Sequence, residues 1–212
     1  NKETDNRLQF KVKLEDEDGN AKLDGEANVA VYEKQEDGTY KTVETNNIIV
    51  KDGVGTINLQ HAYQERNLRF VVAQTEESKA NGHKYINRIG KNVKFDVTTD
   101  ENCQVKDYMA IDVPENAQVN IADKNTIECT IYNDIDYNFA LNITKQDENG
   151  KPLQGVKLQG ISAYLKNAST GESVNVFSNI SAKTNENGQA KLKLKLPETG
   201  EYNYYNSIME IT

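Results

Sequence analysis

A lysine lies in an unusual place in the segment YNFALNITKQDENG, residues 137–150. Phe139, Leu141 and Ile143 alternate with other residues, and Lys145 falls in the same phase, so in a strand all four side chains share one face. An unpaired ammonium in an apolar interior costs on the order of several kcal/mol. The spacing therefore predicts a core-facing lysine that needs an ion-pair partner, a route to solvent or a chemical use.

The composition predicts that strands and turns position this lysine. Tyrosine (11) outnumbers phenylalanine (5), tryptophan is absent and only three prolines occur. Apolar residues alternate in several segments, and no window has a convincing helical period. Residues 74–83 have no periodicity and are predicted to form a loop. The alternating segments include residues 8–14, 27–33, 68–73 and 126–132. We therefore expect an all-β fold.

The bulk properties exclude some classes of partner. The net charge is -8 and the isoelectric point is about 4.9, which argues against a nucleic-acid partner because phosphates would be repelled. No apolar run approaches the length that spans a bilayer, so no membrane insertion is expected in this fragment. The chain opens on Asn1 without an initiator methionine or signal peptide, and we interpret it as a processed piece.

Two segments of the chain align without gaps and predict two modules. Residues 12–19 read VKLEDEDG and residues 143–150 read ITKQDENG, and each leads into an alternating strand. Self-similarity of this kind indicates tandem copies of one β-module. The expected domains are residues 1–136 and residues 137–212. Leu14 of the first copy aligns with Lys145 of the second.

The second module resembles a known family. Its opening segment, followed by the turn at 184–188, the strand at 190–196 and PETGEY at 197–202, resembles the collagen-adhesin B-type, or SpaA-like, repeat of Gram-positive surface proteins. The resemblance covers residues 139–212. Residues 8–133 resemble it more loosely and are also similar to the pilin isopeptide-linkage domains of pilus shafts. Both resemblances imply tandem immunoglobulin-like or prealbumin-like β-sandwiches.

The resemblance also implies a covalent cross-link. Many members of these families join a first-strand lysine to a last-strand asparagine with the help of a buried acid. In the second module, Lys145 matches the lysine and Glu210 resembles the acid, although four extra residues precede it. The acceptor asparagine would lie beyond Thr212, so we expect this domain to be incomplete at its C-terminus. No bond is expected within the chain unless an asparagine such as Asn206 replaces the acceptor.

The first module matches the cross-link pattern at one position of three. Leu14 occupies the lysine position, Gln74 occupies the acid position, and only Asn133 fits. Neither leucine nor glutamine supplies the nucleophile or the proton shuttle, so we expect a degenerate site without a bond. If the pilin shaft family is the better match, the alternative set is Lys11 or Lys13 with Glu76 and Asn133.

Cys103 and Cys129 leave two alternatives open. They are too few for a disulfide framework and lack metal-ligand spacing. A single disulfide is possible in an oxidising compartment. Otherwise both are reduced thiols, with Cys129 packed in a strand beside Ile127 and Ile131.

The remaining motifs do not predict chemistry. His61 and His83 are isolated, so no metal site is expected, and no catalytic or cofactor fingerprint occurs, so neither an enzyme nor a cofactor is expected. Residues 196–200 spell LPETG, similar to a sortase signal, but the short polar tail that follows contains no lysine or arginine. We interpret this motif as a turn of the repeat.

These observations lead to one hypothesis and two alternatives. The first is a structural and adhesive module of a pilin or adhesin stalk, extracellular and anchored to the wall of a Gram-positive bacterium. Its partners would be other pilin subunits, a host extracellular-matrix protein or a glycan. The alternatives are a module that itself binds a host protein or glycan through exposed loops, and an accessory β-domain of a secreted enzyme.

Overall fold

The computed structural model describes residues 6–19, 21–196 and 207–212 of the chain, without the side chains of 177–180 and 207. These residues contain sixteen β-strands and no α-helix, so the predicted all-β fold is confirmed. Within this part of the chain, no helix is long and apolar enough to cross a membrane. The chain divides into two compact units, Asn1–Ile135 (unit 1) and Asp136–Thr212 (unit 2).

One sheet of unit 1 joins the first strand of the unit to its last. Its six strands are β1 (Gln9–Asp16), β4 (Val54–Asn58), β6 (Ser78–Ala80), β7 (His83–Ile86), β10 (Ala117–Asp123) and β11 (Thr126–Ile135). Their order is β4-β1-β11-β7-β6, with β10 also paired to β11. β1 and β11 run parallel in unbroken register, from Gln9 opposite Thr126 to Asp16 opposite Asn133.

The other sheet of unit 1 has five strands. They are β2 (Gly25–Lys34), β3 (Tyr40–Val50), β5 (Asn67–Gln74), β8 (Val93–Thr99) and β9 (Val105–Asp112). Their order is β3-β2-β5-β8-β9, and every neighbouring pair is antiparallel. β2, β5 and β8 therefore have a hydrogen-bonded neighbour on both sides.

The core of unit 1 lies between its two sheets. The alternating pattern of β1 and β11 puts Phe10 and its in-phase neighbours inside, and β5 and β8 contribute Phe70 and Phe95 from the facing sheet. The ring centroids of Phe10 and Phe70 are 5.5 Å apart, and those of Phe70 and Phe95 are 5.2 Å apart. Stacked aromatic pairs contribute about 0.5–1.5 kcal/mol each beyond their buried area. Unit 1 is therefore a β-sandwich.

The loop predicted at residues 74–83 is wrong in part. β6 occupies three of these residues and pairs with β7, and Ser78 is completely buried. The segment is too short and too polar for a periodicity signal, so its pairing with β7 specifies the strand.

Unit 2 has two smaller sheets. Its strands are β12 (Phe139–Thr144), β13 (Lys157–Asn167), β14 (Ser173–Lys183), β15 (Gln189–Leu194) and β16 (Ser207–Ile211). β12 pairs with β15, and the other sheet has the order β14-β13-β16. Among the described side chains, the buried apolar ones of unit 2 are Ala163, Leu165, Ala190 and Leu192. This core is much smaller than that of unit 1.

Candidate functional site

The structure brings the predicted residues of unit 1 into one buried cluster. Asn133 continues the inward face of β11 and is fully buried. Its Nδ2 donates to Gln74 Oε1 at 2.9 Å, and Gln74 Nε2 donates to Asn133 Oδ1 at 2.7 Å. Ser78 Oγ donates to the same Asn133 Oδ1 at 2.9 Å. We call Gln74, Ser78 and Asn133 the amide cluster.

Leu14 packs beside the amide cluster. It is fully buried on β1, opposite Ile131 in the parallel ladder. A Cβ built on Gly25 would lie 2.8 Å from Leu14 Cδ1 and 3.4 Å from Ser78 Cβ. A glycine at position 25 therefore makes room for the leucine and the serine together.

The chemistry of the amide cluster is hydrogen bonding alone. Gln74, Ser78 and Asn133 supply amides and a hydroxyl, and the aligned neighbour on β1 is an aliphatic Leu14. A buried amide costs about 1–3 kcal/mol when it loses its partner, so these reciprocal bonds make burial of Asn133 possible. They also tie β5 and β6 to the end of β11.

The alternative lysine set does not assemble around Asn133. Lys13 Nζ lies 3.1 Å from Glu128 Oε1, and this contact is the largest cause of the lowered pKa of Glu128. Glu76 is exposed, and its backbone carbonyl accepts a hydrogen bond from Gln74 Nε2 at 2.9 Å. Lys11 lies opposite Glu128 in the ladder.

Unit 2 differs from the prediction at Lys145. Residues 139, 141 and 143 are half-buried as expected, but Lys145 is exposed, so the prediction that it faces the core is wrong. β12 ends at Thr144, and the backbone of Lys145 instead bonds two turns: its N–H donates to Gly188 O at 2.7 Å, and its carbonyl accepts from Leu153 N at 3.0 Å. Because the strand ends before Lys145, the alternation of side chains between the two faces of the sheet no longer applies to this residue, and its side chain is not directed inward.

Glu210 lies in a different sheet from Lys145's strand. It is opposite Tyr164 in the pairing of β13 with β16 and is exposed. β12, which precedes Lys145, pairs with β15 instead. Lys145 and Glu210 are both exposed, and no ion pair or hydrogen bond joins these two described side chains. Asn206 and residues 197–200 of the LPETG motif lie outside the described residues.

The two cysteines are not joined to each other in this structure, and both are buried. Cys129 belongs to the apolar core, where burial raises its pKa to about 12. Cys103 lies in the turn after β8, held by its N–H to Asp100 O at 3.1 Å, and burial also raises its pKa. The two thiols thus belong to different parts of unit 1.

Sequence reasoning missed one further buried polar group. The Glu44 carboxylate is buried in β3 and accepts from Tyr63 O–H at 2.8 Å and from Gln60 N–H at 2.7 Å. Burial, with a smaller effect of this bond, raises the pKa of Tyr63. The contact fastens the loop after β4 to β3. Nothing in the local sequence pairs residues 44 and 63.

No group of three histidine, cysteine, aspartate or glutamate side chains within the described ranges is placed to hold a metal ion.

Comparisons by sequence find no matching protein family and no matching curated protein, so the family resemblance stays a prediction. Comparison of structures finds several similar proteins, among them pilins and a pilus adhesin. A Streptococcal ancillary pilin is 14% identical over 99% of this chain, with a TM-score of 0.32. A C-terminal fragment of the pilus adhesin SpaC from Lactobacillus rhamnosus GG is 14% identical over 91% of this chain and 76% of its own, with a TM-score of 0.34. The Bacillus anthracis TIE protein is 20% identical over 96%, with a TM-score of 0.32. This chain spans 60% of the ancillary pilin and 28% of the TIE protein.

Proposed function

We propose that this chain is a force-bearing segment of a Gram-positive pilin or adhesin stalk, which holds a binding region away from the cell wall. The observation that carries the proposal is the parallel pairing of β1 with β11, the first and last strands of unit 1. The resemblance of the sequence to stalk repeats supports the extracellular location, the wall anchoring and the absence of an enzymatic role. It also supports pilin subunits or matrix proteins as partners.

The parallel orientation of β1 and β11 determines how unit 1 resists a pulling force. A pull on the two ends of the unit draws the start of β1 and the end of β11 in opposite directions along their common axis. Eight residue pairs lie in this ladder without a register shift. The hydrogen bonds between the two strands are then loaded in shear and must break nearly together. A strand pair loaded from one end would instead open bond by bond.

The end of β11, where tension leaves unit 1, is fastened by side chains. The amide cluster holds Asn133. Arg88 Nε donates to Asp134 Oδ2 at 3.0 Å, and Arg88 Nη2 donates to Ile135 O at 3.0 Å. Hydrogen bonds to charged groups contribute about 1.5–3 kcal/mol. Side-chain contacts thus hold the three successive residues Asn133, Asp134 and Ile135 in place, so that the end of β11 resists being peeled from the sheet.

The test is to pull single molecules of the full chain in two geometries. In the first, handles at the N- and C-termini load β1 and β11 in shear. In the second, the N-terminal handle stays and the C-terminal handle is moved to a cysteine introduced as Lys124→Cys, in the exposed turn before β11. Both handles then pull at the same end of the β1–β11 pair, so the two strands are peeled apart. The native thiols are buried, and only the thiolate reacts with handle chemistry.

We expect a clearly higher unfolding force in the first geometry than in the second, at the same loading rate. The high-force event should release roughly 400 Å of chain, at about 3.5 Å for each of the ~127 residues from Gln9 to Ile135, less the ~30 Å that the folded strands already span. Equal forces in the two geometries would contradict the proposal.

A further inference from the structure

A row of complementary side chains crosses the outer face of the five-stranded sheet. Thr42 lies opposite Tyr32, Tyr32 opposite Arg69, Arg69 opposite Asp96, and Asp96 opposite Met109. These positions alternate with the buried residues of the same strands, so the row faces away from the core. One side chain from each of the five strands contributes to it.

The centre of the row is rigid. Arg69 Nε donates to Asp96 Oδ1 at 2.8 Å, and Nη2 donates to Asp96 Oδ2 at 3.1 Å. The guanidinium carbon lies 4.0 Å from the centroid of the Tyr40 ring. A bidentate ion pair with a cation–π contact fixes both the plane of the arginine and the position of the ring.

A depression lies beside this row, over the neighbouring row of the same sheet face. Ala30 lies opposite Val71, Val71 opposite Lys94, and Lys94 opposite Asp112. The depression is open to solvent and has a volume of about 680 Å³. Its lining residues are Tyr32, Tyr40, Arg69, Val71, Gly90, Lys91, Asn92, Lys94 and Asp112.

The charge of this outer-face depression is opposite to that of the protein. Arg69 is balanced by Asp96, so Lys91 and Lys94 contribute two further cations against the single carboxylate of Asp112, whereas the chain as a whole carries -8. Neither lysine forms an ion pair with another described residue, while Arg69 is paired with Asp96. Two lysine ammonium groups are thus available to an anion at the edge of a site that contains two tyrosine rings.

We propose that the outer-face depression binds an acidic sugar, a pyranose that carries a carboxylate or a sulfate. Apart from the face of Tyr40 that Arg69 covers, the tyrosine rings offer flat apolar surfaces with polar tips, suited to a sugar that has one apolar face and hydroxyl groups around its edge. The lysines meet the anionic substituent. An extended peptide fits less well, because β2, β5 and β8 beneath the depression are paired on both sides and offer no free backbone edge.

The test is a titration of the full chain with three oligosaccharides, in which nuclear magnetic resonance measures the chemical shifts of the protein. Sialyllactose carries a carboxylate, a heparin-derived disaccharide carries sulfate, and lactose is neutral. We expect shifts at residues of the depression with one or both acidic sugars and none with lactose at the same concentration. Which acidic sugar binds identifies the anionic group. Because the charges are solvent-accessible, added salt should weaken the binding.

Matched variants separate the site from general electrostatic attraction. The double variant K91Q/K94Q should weaken binding about tenfold or more, as expected for the loss of charge-assisted contacts. K157Q/K191Q removes the same charge from two exposed lysines of unit 2 and should leave the affinity unchanged.

Three results would overturn the inference: no binding of either acidic sugar at millimolar concentration, equal binding of lactose, or an equal loss in both double variants. A hexaglutamate peptide that binds more tightly than the acidic sugars would also overturn it, in favour of a peptide site. The pulling experiment does not depend on this depression, so its result tests the stalk proposal independently of the sugar-binding proposal.

Discussion

Leu14 of unit 1 and Lys145 of unit 2 occupy aligned positions in the sequence but have opposite environments. Leu14 is fully buried, whereas Lys145 is exposed. β1 lies between β4 and β11, while β12 pairs with β15 alone among the described strands and ends one residue before the lysine. A local sequence match thus reproduces the phase of a strand, but the residue at which the strand ends decides whether the aligned position is buried.

The largest expected effect comes from exchanging the two residues. Leu14→Lys places an ammonium in the core of unit 1 without a carboxylate partner and should lower its free energy of unfolding by about 3–5 kcal/mol. Lys145→Leu should change that of unit 2 by no more than about 0.5 kcal/mol, because the side chain is exposed. Calorimetry of the full chain measures both. A large loss with Lys145→Leu would restore the prediction of a core-facing lysine.

We also expect the amide cluster to have the geometry that an isopeptide cross-link requires. In the variant L14K/Q74E, the introduced amine can attack Cγ of Asn133 while the introduced carboxyl protonates the departing amide nitrogen as ammonia. One C–N bond forms and one breaks, so the intact mass should fall by about 17 Da relative to the unreacted variant. The stability lost in Leu14→Lys should also return. The single variant Leu14→Lys is the control, and an unshifted mass in both would show that the geometry is not retained.

The third prediction concerns the turn that fixes the backbone of Lys145. Gly188 has φ +69°, and a Cβ there would lie 2.4 Å from Lys145 O. Gly188→Ala should therefore destabilise unit 2 by about 2–4 kcal/mol, through backbone strain and overpacking together. Gly150 has φ +81° with nothing within 4 Å, so Gly150→Ala bears only the conformational cost of about 1–2 kcal/mol. Equal losses would show that the close approach to Lys145 is unimportant.

The smallest effect is expected from the amide cluster itself. Gln74→Met keeps the length of the side chain but removes both hydrogen bonds to Asn133, and should cost unit 1 about 1–3 kcal/mol. Gln118→Met makes the same chemical change at an exposed residue of β10 and should stay within about 0.5 kcal/mol. Chemical denaturation followed by circular dichroism compares them. If both variants unfold at the same denaturant concentration, the cluster does not stabilise unit 1.

The sequence predicts the strands of unit 1 well where burial alternates along an interior strand. Leu8, Phe10, Val12 and Leu14 are all buried as their spacing indicates, and the phase of β11 correctly places Asn133 inside. Local patterns could not reveal Ser78, because its three-residue strand is specified by its pairing with β7. The row through Tyr32, Arg69 and Asp96 was equally hidden, since it depends on the register among strands far apart in the chain.

The pairing of β1 with β11 also has a consequence for biogenesis. Gln9 and Thr126, which face each other in the ladder, are separated by most of unit 1, and such long-range contacts form slowly in folding. The first strand to leave the ribosome or a translocation channel must wait for the last before its sheet is complete. Unit 1 can therefore complete this sheet only when almost all of its residues have been synthesised.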